Sequence, residues 1–193
     1  YKLTLMSPFF NPGPIQYPGV PIYLAGVNPG LARLAGECAD GFHAHPFHTP
    51  RYLKEVVIPA IEQGAAKASR KRSAINISTT VFVVTRPEEA SFVRAQIAFY
   101  ASTPSYRGVM ALHGWQDVAE NLSALAGRGA WGEMPALISD EMVNTFALVT
   151  PAGELSSALA ERYQGLVDRL TLYIPFQPGE RDAFWDGLLR GRG

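Results

Sequence analysis

The sequence predicts an α/β fold in which parallel β-strands alternate with α-helices. A short apolar run bounded by glycine, such as residues 20–26, is typical of a buried parallel strand. Residues 28–29 (Asn-Pro) and 49–50 (Thr-Pro) each place a capping residue before a proline, which favours the start of a helix. Residues 75–84 are rich in β-branched side chains and are the best strand in the chain. Strands that alternate with helices imply parallel pairing.

The elements can be placed along the chain from these signals. The strand patterns lie at residues 1–6, 20–26, 41–45, 75–84 and 166–174. A helix is expected after Pro29, ending at residues 39–41. Further helices are predicted at residues 50–68 (bent at Pro59), 88–100, 106–113, 117–126, 131–146, 151–165 and 180–189.

Four β/α units follow a proline-rich connector over residues 1–20. Four units are half of a (β/α)₈ TIM barrel, whose full size is about 250 residues. The extra helices before the last strand enlarge the third of these units. The length of 193 residues suits a single domain spanning residues 1–193, or a large piece of one domain.

Composition excludes several classes of protein. The 17 basic residues balance 17 acidic residues, which argues against a nucleic-acid binder. No apolar run reaches the roughly 18 to 20 residues of a transmembrane helix, and the first residues do not resemble a signal peptide. Cys38 is the only cysteine, so we expect a reducing, cytoplasmic setting.

The turn at residues 25–30 is the first candidate site. It lies between a predicted strand and the start of a helix, where free amides and the helix dipole favour an anion or phosphate. It lacks the glycine patterns of known nucleotide-binding loops, so the glycines Gly26 and Gly30 could instead serve only a tight turn.

His43 and His45 are the second candidate site. Alternate residues of a strand point the same way, so both imidazoles could face the barrel interior at its carboxyl-terminal end, where barrel enzymes place their active sites. Such a pair also begins some zinc sites, but only His113 remains as a further ligand beyond the nearby His48, so no metal is predicted. Histidines that line a cofactor or substrate pocket, and ordinary buried histidines, both remain open.

The sequence PIYLAGVNPGLARLAGECADG, from Pro21 to Gly41, carries a family resemblance. Its strand, small-residue turn, Leu-Ala-Gly helix and Ala-Asp-Gly end resemble the luciferase-like monooxygenase superfamily, which comprises flavin-dependent and F420-dependent oxidoreductases. Downstream motifs are similar to the F420-dependent branch. These are His45-Pro46-Phe47, Tyr52-Leu53 with Pro59, Ile97-Ala98-Phe99-Tyr100, His113-Gly114, Asp140-Glu141-Met142 and Arg162-Tyr163-x-Gly165.

The resemblance implies that the chain is the C-terminal half of a barrel, strands 5–8 with their helices. Residues 1–20 would be the end of an insertion after strand 4, and the helices at residues 87–165 would lie between strands 7 and 8. The N-terminal half, from the same or a separate chain, would then be a partner. Most proton donors of the family come from that half, so we expect this chain alone to be inactive and its catalytic residues to be unknown.

The resemblance also assigns the two candidate sites. It implies that Ala25, Gly26, Val27 and Asn28 contact the phosphate-bearing side of the cofactor through backbone atoms. His43 and His45 would face the mouth of the cofactor or substrate pocket.

The function that follows is hydride transfer between reduced F420 and a small or lipid-like organic substrate, by a complete barrel that we expect to be a homodimer. Two alternatives stay open. The first is an FMN-dependent monooxygenase, in which reduced flavin activates oxygen. The second is a non-catalytic half-barrel that serves as a scaffold or assembly subunit.

Overall fold

The structure, a computed structural model, describes residues 16–174, 176 and 178–190. The strand predicted at residues 1–6 and most of the proline-rich connector lie outside these residues. Residues 16–20 belong to neither a helix nor a strand.

Five strands and nine α-helices make up the described part of the chain. The strands are β1 (Tyr23–Gly26), β2 (Gly41–Ala44), β3 (Asn76–Val84), β4 (Ala147–Val149) and β5 (Arg169–Leu172). The helices are α1 (Pro29–Cys38), α2 (Pro50–Tyr52), α3 (Ile58–Lys67), α4 (Glu89–Ala101), α5 (Arg107–Leu112), α6 (Gln116–Gly127), α7 (Asp140–Phe146), α8 (Leu155–Tyr163) and α9 (Asp182–Arg190).

The strands form one parallel sheet centred on β3. β1 pairs with β2, β2 with β3, and β3 with β5, and every pairing is parallel. Ser78 and Thr79 of β3 pair with both β2 and β5, which places those two strands on opposite edges of β3. β4 pairs with the last three residues of β3. The predicted α/β fold with a parallel sheet is therefore confirmed.

The core lies around β3 and the helices that cover the sheet. Most residues of β3 are buried, as the β-branched run predicts, whereas β1 and β5 alternate between exposed and half-buried positions. Helices α1 and α3 approach each other closely at two glycines. A Cβ at Gly36 would lie 2.1 Å from the Ile61 carbonyl oxygen, and one at Gly64 would lie 1.9 Å from that of Arg33.

The predicted helix at residues 131–146 is wrong over its first half. Residues 134–137 form a short 3-10 helix, and only α7 is α-helical. The apolar spacing is continuous across this segment, but Pro135 lies in the first turn of the 3-10 helix, and Ser139 starts a new helix by accepting the Met142 N–H. The strand β4, which follows α7 directly, was not predicted at all.

The helix predicted at residues 50–68 departs from regular geometry before Pro59. Residues Leu53–Val57 are π-helical, and the Ile58 N–H bonds to the Leu53 carbonyl oxygen five residues back. Because Pro59 has no N–H to donate, a widened turn at this point accommodates it. A π-helical segment thus stands where a bend was expected.

The order β1, β2, β3, β5 with intervening helices agrees with four consecutive β/α units. The half-barrel itself, the numbering of its strands as 5–8 and the single domain over residues 1–193 stay predictions. Among the described residues, no helix is long and apolar enough to cross a membrane.

Candidate functional site

The carboxyl ends of β1 and β2 open onto a cavity of about 350 Å³. Both predicted sites meet there, the turn after β1 and the two histidines of β2 and its following residues. The cavity is lined by Ala25, Gly26, Val27, Asn28, Leu31, His43, His45, Pro46 and Tyr106. The parallel register explains this meeting, because β1 and β2 end level with each other, with Gly26 opposite Ala44.

The turn after β1 leads directly into the start of α1. Asn28 is the N-cap residue and Pro29 is the first helical residue, as predicted. The Asn28 side chain makes no capping hydrogen bond, and the first turn of α1 contains no acidic side chain. The positive end of the helix dipole therefore faces the turn with no acidic side chain in the first turn of α1 to offset it, which suits an anion.

His43 is held by two hydroxyl groups of β3. Its Nδ1 lies 2.8 Å from Ser78 Oγ, and its Nε2 lies 3.5 Å from Thr80 Oγ1. In the sheet His43 stands between Ala25 of β1 and Ser78 of β3. The ring is half-buried and borders the cavity.

The backbone of His45 is hydrogen-bonded to the turn after β1. Its N–H donates to the Gly26 carbonyl oxygen at 3.0 Å. The Phe47 N–H donates to its Nδ1 at 3.1 Å, so Nδ1 carries the lone pair and the neutral ring carries its proton on Nε2. Nε2 lies 3.4 Å from the Tyr106 hydroxyl oxygen.

Two tyrosine rings enclose His45. The ring of Tyr106 is tilted by 34° against it, with 4.8 Å between centroids, and the ring of Tyr100 meets it edge-on at the same distance. Burial, with a smaller contribution from the charge of His43, lowers the pKa of His45 below its ordinary value. His45 is therefore neutral near pH 7 and acts as a hydrogen-bond donor at Nε2.

His48 lies in the core, outside the cavity lining. It is 3% exposed, and its Nδ1 lies 2.8 Å from the His45 carbonyl oxygen, to which it donates. Its Nε2 lies 3.3 Å from the Tyr163 hydroxyl, which donates to it. Burial lowers the pKa of His48 to about 4 and raises the pKa of Tyr163 to about 12. His48 is thus a buried histidine that supports the turn after β2.

His113 also lies outside the cavity lining. Its Nε2 lies 2.9 Å from the Thr49 hydroxyl, and its ring stacks on Trp115 with 4.9 Å between centroids. Within residues 16–174 and the described part of the C-terminal segment, no three His, Cys, Asp or Glu side chains are grouped to hold a metal ion.

Sequence reasoning missed Tyr106, Pro46 and Leu31 as cavity residues. Leu31 directly follows the predicted turn and Pro46 directly follows the predicted strand, so the sequence could have predicted that both lie near the cavity. Tyr106 is 61 residues away from the histidine that it contacts. No signal in a single sequence pairs two residues at that separation.

A second polar cluster occupies the carboxyl end of β3. Glu89 Oε2 accepts the Thr85 N–H at 2.8 Å, and Glu89 Oε1 lies 2.9 Å from the Arg181 guanidinium. Burial would raise the pKa of Glu89, but the Thr85 and Arg86 hydrogen bonds and the charge of Arg181 lower it below its usual range. Arg181 also donates to the Thr85 hydroxyl, and its guanidinium lies 4.2 Å from the centre of the Phe184 ring. This cluster attaches the segment before α9 to the sheet.

Comparison with known proteins identifies relatives along most of the chain. An uncharacterized protein of Mycobacterium tuberculosis is 41% identical over 176 residues, which cover 88% of this chain and 52% of that protein. A 5,10-methylenetetrahydromethanopterin reductase of Methanopyrus kandleri is 24% identical over 176 residues, covering 90% of this chain and 50% of the enzyme. The chain spans about half the length of the curated relatives that it matches.

A solved structure supports the same fold. The coenzyme F420 dependent tetrahydromethanopterin reductase from Methanopyrus kandleri superposes with a TM-score of 0.67 at 23% identity, over 90% of this chain and 49% of that chain. The family model for luciferase-like monooxygenases matches residues 1–169. This match covers far more than half of the sequence and confirms the resemblance carried by its motifs, so the chain belongs to the luciferase-like monooxygenase family.

Proposed function

We propose that the protein carrying this chain is an F420-dependent oxidoreductase that transfers hydride between the reduced cofactor and a small or lipid-like organic substrate. The observation that carries the proposal is the shared cavity, in which an uncharged turn at a helix start adjoins two histidines. The similarity to the coenzyme F420 dependent tetrahydromethanopterin reductase of Methanopyrus kandleri supports F420 over other redox cofactors.

The turn after β1 would hold the phosphate-bearing side of the cofactor. Ala25, Gly26, Val27 and Asn28 line the cavity, and no carboxylate stands in the first turn of α1. Backbone amides at a helix start are good donors to phosphate oxygens. The residues present therefore fit an anionic cofactor tail. The bound cofactor would supply the hydride, and the protein would supply orientation and exclusion of water.

His43 and His45 would face the reacting end of the same cavity. The Ser78 hydroxyl orients His43, and the Phe47 N–H orients His45, so each ring is held in one position. A hydrogen bond to one ring nitrogen of a histidine determines which of its two nitrogens faces a ligand. We place no catalytic residue among the described residues, and we propose that the proton-donating groups come from the N-terminal half of the barrel.

That N-terminal half would complete the sheet. Among the described residues, β1 and β5 each pair with one strand and alternate between exposed and half-buried positions. Open edges of a parallel sheet are normally covered or paired. A cavity of about 810 Å³ lies along β5, with Leu159, Val167 and Leu170 in its lining. We propose that strands 1–4, on the same or a separate chain, pair with both edges, and that the completed barrel forms a homodimer.

The proposed function is tested by adding F420 and, separately, FMN to the protein purified with every chain that accompanies it. Binding is followed by cofactor absorbance, and the mass of the complex by native mass spectrometry. We expect saturable, stoichiometric binding of F420 and weaker binding of FMN. Preferential binding of FMN would favour the monooxygenase alternative, and binding of neither would favour the scaffold alternative.

A further inference from the structure

One face of the sheet carries a group of polar side chains. His43 lies 2.8 Å from Ser78 Oγ and 3.5 Å from Thr80 Oγ1, so these three side chains share one face, which we call the inner face. Arg169 and Thr171 of β5 stand opposite Ser78 and Thr80 in the parallel register, which places both on the inner face as well. The interior of a (β/α)₈ barrel is normally filled by bulky, branched apolar side chains. The inner face of this sheet departs from that rule.

The inner face is open, whereas the opposite face of the sheet is covered. Thr79 of β3 points to the opposite face and is buried against His48, which in turn contacts Tyr163 of α8. Within the described part of the chain, Arg169 and Thr171 on the inner face are exposed. Parallel sheets are normally covered on both faces. The inner face is therefore the surface that the N-terminal half of the barrel would close over.

Arg169 places a positive charge on the inner face without a counter-charge. Among the described residues it forms no ion pair. The carboxylate of the preceding Asp168 accepts the Ile77 N–H at 2.7 Å. Glu161 of α8 borders the cavity at the edge of β5 but likewise does not pair with Arg169. Closing a barrel over Arg169 would remove water from its guanidinium, and burying an unpaired charge is strongly destabilising.

We propose that the N-terminal half of the barrel presents an inward-facing carboxylate, from an Asp or a Glu, that forms a buried ion pair with Arg169 when the barrel closes. The inference rests on the proposed function in one respect, because it takes that half to complete the sheet. Charge complementarity selects this partner, since an apolar or basic side chain opposite Arg169 would leave the guanidinium unpaired. The Thr171 hydroxyl on the same face offers the carboxylate a further hydrogen-bond donor.

Three substitutions separate the charge of Arg169 from its packing. Arg169→Met removes the charge and keeps an unbranched side chain, whereas Arg169→Lys keeps the charge. Arg190→Met is the matched control, because the ion pair of Arg190 with Asp186 is long, at 3.8 Å, and exposed. The variants are made in the protein purified with every chain that accompanies it. Urea unfolding is then followed at one fixed protein concentration.

The effect of Arg169→Met should depend on pH. At pH 8 it should raise the equilibrium constant of unfolding at least about a hundredfold, because a buried carboxylate is left without its cation. Arg169→Lys should raise the constant by less, and Arg190→Met by no more than about threefold. Burial raises the pKa of an unpaired carboxylate, so the folded state binds its proton more tightly than the unfolded state does. The deficit of Arg169→Met should therefore shrink below about tenfold at pH 5. An equal deficit at both pH values would overturn the ion pair.

His43 also titrates on the inner face and needs its own control. Protonation of His43 would place a second positive charge on the face of Arg169, which would also narrow the difference between pH 8 and pH 5. The comparison is therefore repeated with His43→Gln in the proteins with and without Arg169→Met. We expect the narrowing to persist. Its disappearance in the His43→Gln background would assign it to His43 and overturn the carboxylate partner.

A thiol at position 171 tests whether the inner face is covered. Cys38→Ser removes the single native cysteine, and Thr171→Cys or Arg190→Cys then supplies one thiol on the inner face or on exposed α9. We expect a charged maleimide to label the Thr171→Cys protein at least about tenfold more slowly than the Arg190→Cys protein, because the closed barrel excludes the reagent. Equal labelling rates would show that the inner face is open to solvent and would overturn the inference.

F420 titration of the same samples separates this inference from the proposed function. A pH-dependent effect of Arg169→Met in a protein that does not bind F420 would support the ion pair and count against the cofactor assignment. Bound F420 together with a protected thiol and a pH-independent effect of Arg169→Met would overturn the carboxylate partner alone. Bound F420 with a freely labelled thiol would overturn the inference and leave the cofactor assignment in place.

Discussion

Asp168 and Ile77 are hydrogen-bonded to each other in both directions. The Asp168 N–H donates to the Ile77 carbonyl oxygen at 2.8 Å, and the Ile77 N–H donates to the Asp168 carboxylate at 2.7 Å. Asp40 and Ile22 repeat the arrangement, at 2.9 and 2.8 Å, where β1 and β2 begin. An aspartate thus fixes the register at the amino end of each edge of the sheet. The register of the strands in turn determines where their carboxyl ends lie, and the carboxyl ends of β1 and β2 border the cavity.

Asp168→Ala should destabilise the fold by about 1–3 kcal/mol, because the N–H of the buried Ile77 is left without its acceptor. Asp168→Asn keeps an acceptor oxygen at the same place and should cost less. Chemical denaturation of the two variants checks the prediction. Equal stability of wild type and Asp168→Ala would show that the carboxylate has no role in the register.

Gly64→Ala should destabilise the protein by about 1–3 kcal/mol, because its Cβ would overlap the Arg33 carbonyl and push α1 and α3 apart. Gly127→Ala is the matched control, since Gly127 ends α6 with open space around its Cβ position. We expect the control to be neutral or slightly stabilising. The thermal unfolding midpoints of both variants provide the comparison, and a harmless Gly64→Ala would contradict the close helix contact.

His48 should make the stability of the protein depend on pH in the acid range. Its folded pKa of about 4 lies below the ordinary value of 6.5, so the unfolded state binds the proton more tightly. The stabilisation is therefore fully present above about pH 6.5 and is lost as the pH falls toward 4. From pH 7 to pH 5 the free energy of unfolding should fall by about 2 kcal/mol on this account.

The His48→Asn variant isolates this effect from the other histidines. Its side chain does not titrate, so the same acidification should cost it less than the wild type. Urea denaturation at both pH values gives the two differences. An equal loss of unfolding free energy between pH 7 and pH 5 in the wild type and the variant would refute the assignment of the acid sensitivity to His48.

Arg181→Ala should loosen the segment that contains α9 without disturbing the sheet. The guanidinium joins Glu89 and Thr85 to this segment and packs on Phe184. We expect faster amide hydrogen exchange in α9 and unchanged exchange in β3. Arg190→Ala is the control, because its ion pair with Asp186 is long, at 3.8 Å, and exposed. The same exchange rates in α9 for both variants would show that Arg181 does not anchor the segment.

The sequence predicts those parts of the fold that local patterns determine. The β-branched run of β3 and the Asn28 and Thr49 caps give correct elements, because neighbouring residues carry the signal. The strand β4 escapes prediction because three residues following a helix have no period of their own. Pro135 indicates a break in the helix, but the apolar residues around it recur at helical spacing and predict one continuous helix.

The candidate site divides in the same way. The turn after β1 and the His43-x-His45 pair follow from strand geometry, and the parallel register brings them together. The spacing does not predict which histidines line the cavity and which lie in the core. His48 lies three residues after His45, yet it is directed into the core toward Tyr163, which is 115 residues away along the chain.

The most direct test of the cofactor assignment is the affinity for F420 of two variants of Asn28. Asn28→Asp keeps a favourable N-cap residue and places a carboxylate at the start of α1, whereas Asn28→Ser keeps a cap without charge. If the turn after β1 binds the cofactor phosphate, absorbance titration should show at least about tenfold weaker binding for Asn28→Asp and nearly wild-type binding for Asn28→Ser. Equal affinity of both variants and the wild type for F420 would contradict a phosphate site at this turn.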